Sequence, residues 1–128
     1  MARAVDIVLA DREAEIMEVL WDSGPSTVAE VKERVADELA YTTVLTVLRN
    51  LESKGYVTHD ADGKAHRYSA LVERDAARRS ALQAMAHKFF KGSTAMLLTH
   101  LVADEKLDPE DIKRLRTMLS KRGRKPRS

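Results

Sequence analysis

The sequence predicts a mainly α fold with a small β wing, and three observations carry that expectation. Apolar residues recur at helical spacing along most of the chain. Breaks that contain Gly or Pro separate those helices, as at Ser23-Gly24-Pro25, Gly55 and Gly92-Ser93. One Asp-Gly pair, Asp62-Gly63, sits between two short alternating runs, which marks a hairpin.

Taken in order, Asp11 is the expected N-cap of a first helix reaching about Trp21, although Ala14 stands where a capping-box Glu would be ideal. Its apolar stripe is Ile16, Met17, Leu20 and Trp21. Ser23-Gly24-Pro25 ends it, because Gly permits the C-terminal turn and Pro cannot continue a helix. Ser26 or Thr27 caps a second helix over about 27–38, with Glu30 three residues beyond Thr27 and Val28, Val31 and Val35 as its buried face. Leu39-Ala40 turns into a third helix, about 41–54, which Gly55 stops. Val44, Leu45, Leu48 and Leu51 form its core stripe. Strands over Tyr56–His59 and Ala65–Tyr68 flank Asp60–Lys64, and Tyr68 is expected to pack its ring inward. Three short helices and a hairpin make a winged helix-turn-helix.

Beyond residue 70 the helical period returns. Ala76, Leu82, Met85, Ala86 and Phe89 share a stripe before the Gly92-Ser93 break. A short apolar helix holds Met96, Leu97, Leu98, Leu101 and Val102. Asp108 caps a last helix with Pro109 at its first position and Ile112, Leu115, Met118 and Leu119 on its apolar face. These segments are too few and too apolar to close a core alone, so a second copy is the simplest cover. The expected organisation is a winged-helix DNA-binding domain (1–70), a helical C-terminal dimerisation domain (71–121) and a basic tail (122–128). The candidate dimerisation residues are Leu82, Met85, Phe89, Leu97, Leu98, Leu101, Val102, Ile112, Leu115 and Leu119.

The third helix carries the functional signal. Opposite its apolar stripe lie Thr42, Thr43, Thr46, Arg49, Asn50 and Ser53, and there is no acid within Tyr41–Asn50. Short hydroxyl and amide groups with one Arg suit a DNA major groove, whose base edges offer donors, acceptors and thymine methyls. The alternative is a solvated face, but adjacent Thr-Thr costs helix propensity through β-branching, so a reason beyond solubility is expected. In the wing, Lys64, His66 and Arg67 form a basic cluster suited to phosphate, with solubilisation of an exposed edge strand as the other reading. The candidate DNA-binding residues are therefore Thr42, Thr43, Thr46, Arg49, Lys64, His66 and Arg67.

Charge is uneven. The net +2 of the whole chain divides into 8 Lys/Arg against 13 Asp/Glu in residues 1–70, and 14 against 7 in residues 71–128. The last sixteen residues, from Lys113, hold eight bases and no acid, a pattern that attracts phosphate. The absence of cysteine excludes disulfides, Cys-ligated zinc and thiol chemistry, and it fits a reducing cytoplasm. No apolar run approaches the roughly 20 residues that span a bilayer, and the acidic turn after the first residues does not read as a signal peptide. His59 and His66 face each other across the hairpin, but two His without Cys or a carboxylate cluster do not make a metal centre. No Ser sits in a nucleophile elbow and Gly is too sparse for a phosphate loop, so neither an enzyme nor a cofactor is expected.

The runs EIMEVLWDSGPSTVAEV, ELAYTTVLTVLRNLESKGYV and DGKAHRYSALVERD resemble the penicillinase repressor family of bacterial transcription regulators (BlaI/MecI/CopY type) over nearly the whole chain. The resemblance implies a homodimer that binds palindromic operators and represses β-lactamase-type or related genes. It maps the recognition helix onto Tyr41–Lys54, with Thr42, Thr43, Thr46 and Arg49 at contacting positions. It also implies, in some members, a membrane sensor protease that cuts an Asn-Phe bond, where this chain has His100-Leu101, and in others a C-terminal cysteine cluster for copper, which this chain lacks. A winged helix used for protein contacts without specific DNA binding is the alternative function.

Overall fold

The computed structural model describes residues 6–104 and 106–123. The elements are α1 (Asp11–Ser23), β1 (Ser26–Thr27), α2 (Val28–Arg34), α3 (Tyr41–Ser53), β2 (Val57–Asp62), β3 (Ala65–Ala70), α4 (Arg74–Phe89), α5 (Thr94–Asp104) and α6 (Pro109–Gly123). The expected mainly α fold with a small β wing is what forms, and the chain divides into two compact units between Ala84 and Met85. Of the basic tail, 124–128 lie outside the described residues.

In the first unit, Ile16, Met17, Val31, Val44, Leu48 and Leu51 reach zero exposure, each side chain contributing about 1.5–3 kcal/mol by leaving water. The α3 stripe needs one correction: Val47 is buried beside Val44, Leu48 and Leu51, whereas Leu45 only packs partly against them. Trp21 is likewise only partly buried, and its Nε1–H donates to the Val72 carbonyl at 2.9 Å. Asp11 is not a cap but the first residue of α1. The N-cap is Ala10, which has no side-chain acceptor, and its backbone N–H instead donates to Glu13 Oε1 at 2.9 Å. Glu13 is buried, and Lys54 Nζ lies 2.8 Å from the same oxygen, so burial of the carboxylate is compensated by a charge and a backbone donor.

Thr27 caps α2 with a reciprocal box: Glu30 N–H donates to Thr27 Oγ1 and Thr27 N–H to Glu30 Oε1. The helix stops at Arg34, earlier than the expected 38, because Val35 turns to extended backbone (φ −68°, ψ 148°) and still reaches the core. Ser26-Thr27 form a third strand that no local pattern announced, giving an antiparallel sheet in the order β1-β3-β2. The wing is longer and its turn tighter than expected. Val57 pairs with Ala70 and Asp62 with Ala65, leaving a two-residue loop whose first member, Gly63, takes φ 64° as such loops require. Tyr68 is 2 % exposed and lies on the inner face, as expected.

In the second unit, Asp108 caps α6 as anticipated: Asp111 N–H donates to Asp108 Oδ1 at 2.8 Å, and Pro109 takes the first helical position. Ala86 and Leu97 are buried.

Candidate nucleic-acid interface

Helix α3 follows the turn at 35–40 and presents two faces. Its inner face is fixed by Val44, Val47, Leu48 and Leu51, so the 3.6-residue period leaves Thr42, Thr43, Thr46, Arg49 and Asn50 all exposed on the other. No acid lies among them, and the first turn of α3 contains none. The wing stands beside this face. An open cleft of about 170 Å³ is lined by Tyr41, Leu45 and Arg49 of α3, by Val28, and by Lys64, Ala65, His66 and Tyr68 of the hairpin. Arg49, Lys64 and His66, singled out separately in the sequence, therefore come together on one concave surface. The cations of that surface, Arg49 and Lys64, form no ion pair among the described residues.

Arg67 behaves differently. Its guanidinium bonds Asp62 (Nε to Oδ2, 2.9 Å), Glu30 (Nη1 to Oε1, 3.0 Å) and the Pro25 carbonyl (3.1 Å). The hydrogen bond to Asp62, reinforced by Glu30, raises its pKa above the ordinary value. The Thr27 N–H, followed by the cations Arg67 and Arg34, holds the Glu30 carboxyl below its ordinary range. Arg67 thus binds wing to α2 rather than standing free with Lys64 and His66. Its partners lie 37 and 42 residues away for Glu30 and Pro25, beyond any local pattern.

The two hairpin histidines meet diagonally. His59 pairs in register with Tyr68 and His66 with Ala61, yet the rings stack with centroids 4.4 Å apart and 20° between planes. His59 Nδ1 is hydrogen-bonded to Glu52 of α3 at 2.7 Å. Near-parallel rings do not converge their lone pairs on one ion, and no group of three or more His, Cys, Asp or Glu is placed to hold a metal among the described residues. Burial, with the Glu52 charge behind it, pushes the Tyr68 phenol up. Tyr41 and Leu45, both lining the cleft, were not among the candidate site residues. Their i, i+4 spacing beside the Thr face was the available signal.

The candidate dimerisation residues separate by exposure. Leu82, Met85, Phe89, Leu101, Val102, Ile112 and Leu119 are exposed, from 43 % at Ile112 to 68 % at Phe89. Leu98 and Leu115 are half-buried, and Leu97 is buried. Leu98, Val102, Leu107, Ile112, Leu115 and Leu119, with Arg116, line an apolar cleft of about 210 Å³ between α5 and α6. No helix among the described residues is long and apolar enough to cross a membrane.

Comparison with known proteins is consistent with this geometry. The family model described as penicillinase repressor matches residues 9–121. The transcriptional regulator BlaI of Mycobacterium tuberculosis is 35 % identical over 116 residues, covering 88 % of this chain and 83 % of that protein. The methicillin resistance regulatory protein MecI of Mammaliicoccus sciuri is 24 % identical, covering 89 % and 94 %. Among solved structures, a MarR family protein from Bacillus stearothermophilus superposes with a TM-score of 0.50 at 19 % identity, over 90 % of this chain and 73 % of that one, a likeness of fold. With nearly the whole chain matched, from the first helix to the last, this protein belongs to the penicillinase repressor family of transcription regulators.

Proposed function

We propose that the protein is a sequence-specific DNA-binding transcriptional repressor, working in the cytoplasm as a homodimer on palindromic operators of β-lactamase or related stress-response genes. The observation that carries this reading is the exposed, acid-free face of α3, with Thr42, Thr43, Thr46, Arg49 and Asn50 beside the Arg49–Lys64–His66 cleft. Thr hydroxyls bond bases or phosphates and their methyls touch thymine, while Arg49 has the fork that suits guanine. Lys64 and His66 take the neighbouring phosphates. The dimer would be closed by the exposed apolar residues of α4, α5 and α6, and it would present two copies of α3 to half-sites one or more helical turns apart. The names of two relatives, methicillin resistance regulatory protein MecI and penicillinase repressor, support the target class.

The Asn-Phe bond through which some family members are thought to be released is not present in this chain. His100-Leu101 stands at that position, inside the helix α5, where a peptide bond must unwind before a protease can hold it. No cofactor enters.

The test is a gel-shift titration against the promoter region of the protein's own gene. Tight binding to an inverted repeat is expected, with affinity falling steeply as salt rises. Thr46→Ala should lose operator preference while nonspecific binding stays. Equal binding to operator and random duplex by the unmodified protein would overturn the reading. Unchanged activity in both Thr43→Ala and Thr46→Ala would turn it into a protein-contact module.

A further inference from the structure

Arg49 and Lys64 have no carboxylate partner, although each has an acid close by in the sequence. Glu52 stands three residues beyond Arg49, a spacing at which an acid and a base on one helix pair. Its carboxylate is instead bonded to His59 Nδ1 of β2 at 2.7 Å, and the His59 ring stacks on His66. Asp62 stands two residues before Lys64, and Arg67 Nη2 takes it at 2.8 Å. In each case a third side chain removes the acid. Among the described residues neither cation forms an ion pair.

Both cations nonetheless line one cleft of about 170 Å³, Arg49 from α3 and Lys64 from the two-residue loop of the hairpin. Like charges around one space are unfavourable until an anion enters it, and the apolar walls of Val28 and Leu45 weaken screening by water. Tyr41, Leu45 and Arg49 repeat every four residues along the flank of α3 that meets the wing. Thr42, Thr46 and Asn50 have the same spacing one residue on, about 100° round the helix. All three are exposed, and none of them lines the cleft. By position, Arg49 belongs with the wing, while the outer stripe is free for the groove.

We propose that the cleft between α3 and the wing seats a single phosphate of the DNA backbone, held by Arg49 and Lys64 together, so that Arg49 contributes affinity and register but reads no base. The inference rests on the DNA-binding reading above and narrows it. A guanidinium fork suits two phosphate oxygens as well as it suits guanine, and the place of Arg49 decides between them. One phosphate fixed between helix and wing sets the depth and register of α3. Thr42, Thr46 and Asn50 are then left to choose the sequence.

The full-length protein and the variants Arg49→Gln, Lys64→Gln, Arg49→Lys and Arg49→Gln with Lys64→Gln are titrated on the inverted repeat and on random duplex, across a tenfold range of salt. Both side chains are exposed, so the urea midpoint should stay unchanged and serves as the check on folding. Each Gln variant should weaken both duplexes by the same factor and keep the operator-over-random ratio. Losing one neutralised phosphate lowers the slope of log affinity against log salt by about 0.9 per copy, which is about eightfold over that range. Because the two cations share one phosphate, the double variant should lose that much and no more. Arg49→Lys keeps the charge and gives up the fork, and it should retain both slope and ratio. A collapse of operator preference in Arg49→Gln or Arg49→Lys overturns the proposal, since Arg49 would then read a base. So does a loss of about 1.8 slope units per copy in the double variant, the sum for two separate phosphates, and so does an unchanged slope. The DNA-binding reading fails differently: the unmodified protein then shows no preference for the inverted repeat, while the seat is still judged by the slopes on random duplex. Absence of binding to either duplex defeats both.

Discussion

The two compact units of this chain treat their apolar residues in opposite ways. In the first, six large side chains on α1, α2 and α3 are completely removed from water, and polar groups drawn inward are compensated, as Glu13 is by Lys54 and the Ala10 N–H. In the second, Phe89, Leu101, Val102, Ile112 and Leu119 remain exposed around an open apolar cleft. Exposed clusters of that kind mark surfaces that another molecule covers. The first unit closes its main core within a single chain, although Leu82 near its end is exposed, and the second leaves an apolar face in solvent. A second copy of the chain is the cover we propose.

That contrast can be broken most forcefully at the centre of the first unit. Leu48→Ala leaves a cavity against Val31, Val44 and Leu51 and is expected to cost about 2–5 kcal/mol in urea unfolding. The exposed Leu101→Ala should cost well under 1 kcal/mol in the same experiment, yet weaken association measured by sedimentation. A similar loss of folding stability in both would erase the distinction between the units.

Glu13 gives the next largest effect. Burial alone would raise its pKa, but the Lys54 ammonium and the Ala10 N–H outweigh it and hold the carboxyl below its ordinary 4.5. A depressed pKa contributes stability that is complete above the unfolded value and is lost as pH falls through the folded one. Glu13→Gln should cost about 1–3 kcal/mol at pH 7 and flatten the loss of stability expected of the unmodified protein as pH falls below the ordinary 4.5. Parallel pH profiles for the two proteins would show that the buried pair does not act this way. Thr27→Ala removes one arm of the α2 capping box and should cost about 1 kcal/mol, read as a lower urea midpoint with the same slope.

The smallest effect on folding is expected on the α3 outer face. Thr46→Ala should change stability by less than about 0.5 kcal/mol, because Ala is the better helix former and the hydroxyl lies in solvent. A large destabilisation there would mean that Thr46 serves the fold instead of a ligand.

These sites also show what could be read without coordinates. Helix α3 was legible because its period, its Gly55 stop and the contrast between its faces are all local. The α6 cap was legible for the same reason, with Asp108 and Pro109 adjacent. What escaped depends on distant residues. Ser26-Thr27 become a strand only because Tyr68 and Arg67 lie opposite them. Val35 looked helical from its spacing, but it is buried by a turn. Asp11 had the right chemistry for a cap, yet Glu13 satisfies the Ala10 N–H from inside the helix. In the cleft, Arg49, Lys64 and His66 could each be nominated, but their convergence needed the hairpin register, and the capture of Arg67 needed Glu30.

The hold on Arg67 has a kinetic consequence. A guanidinium bound to β2, to α2 and to the Pro25 carbonyl fixes the tilt of the hairpin before any ligand arrives. The entropy of ordering that hairpin is then spent during folding, not at the encounter with DNA. A protein built this way should dock as a rigid body, with an association rate set by diffusion and charge and no slower rearrangement following it.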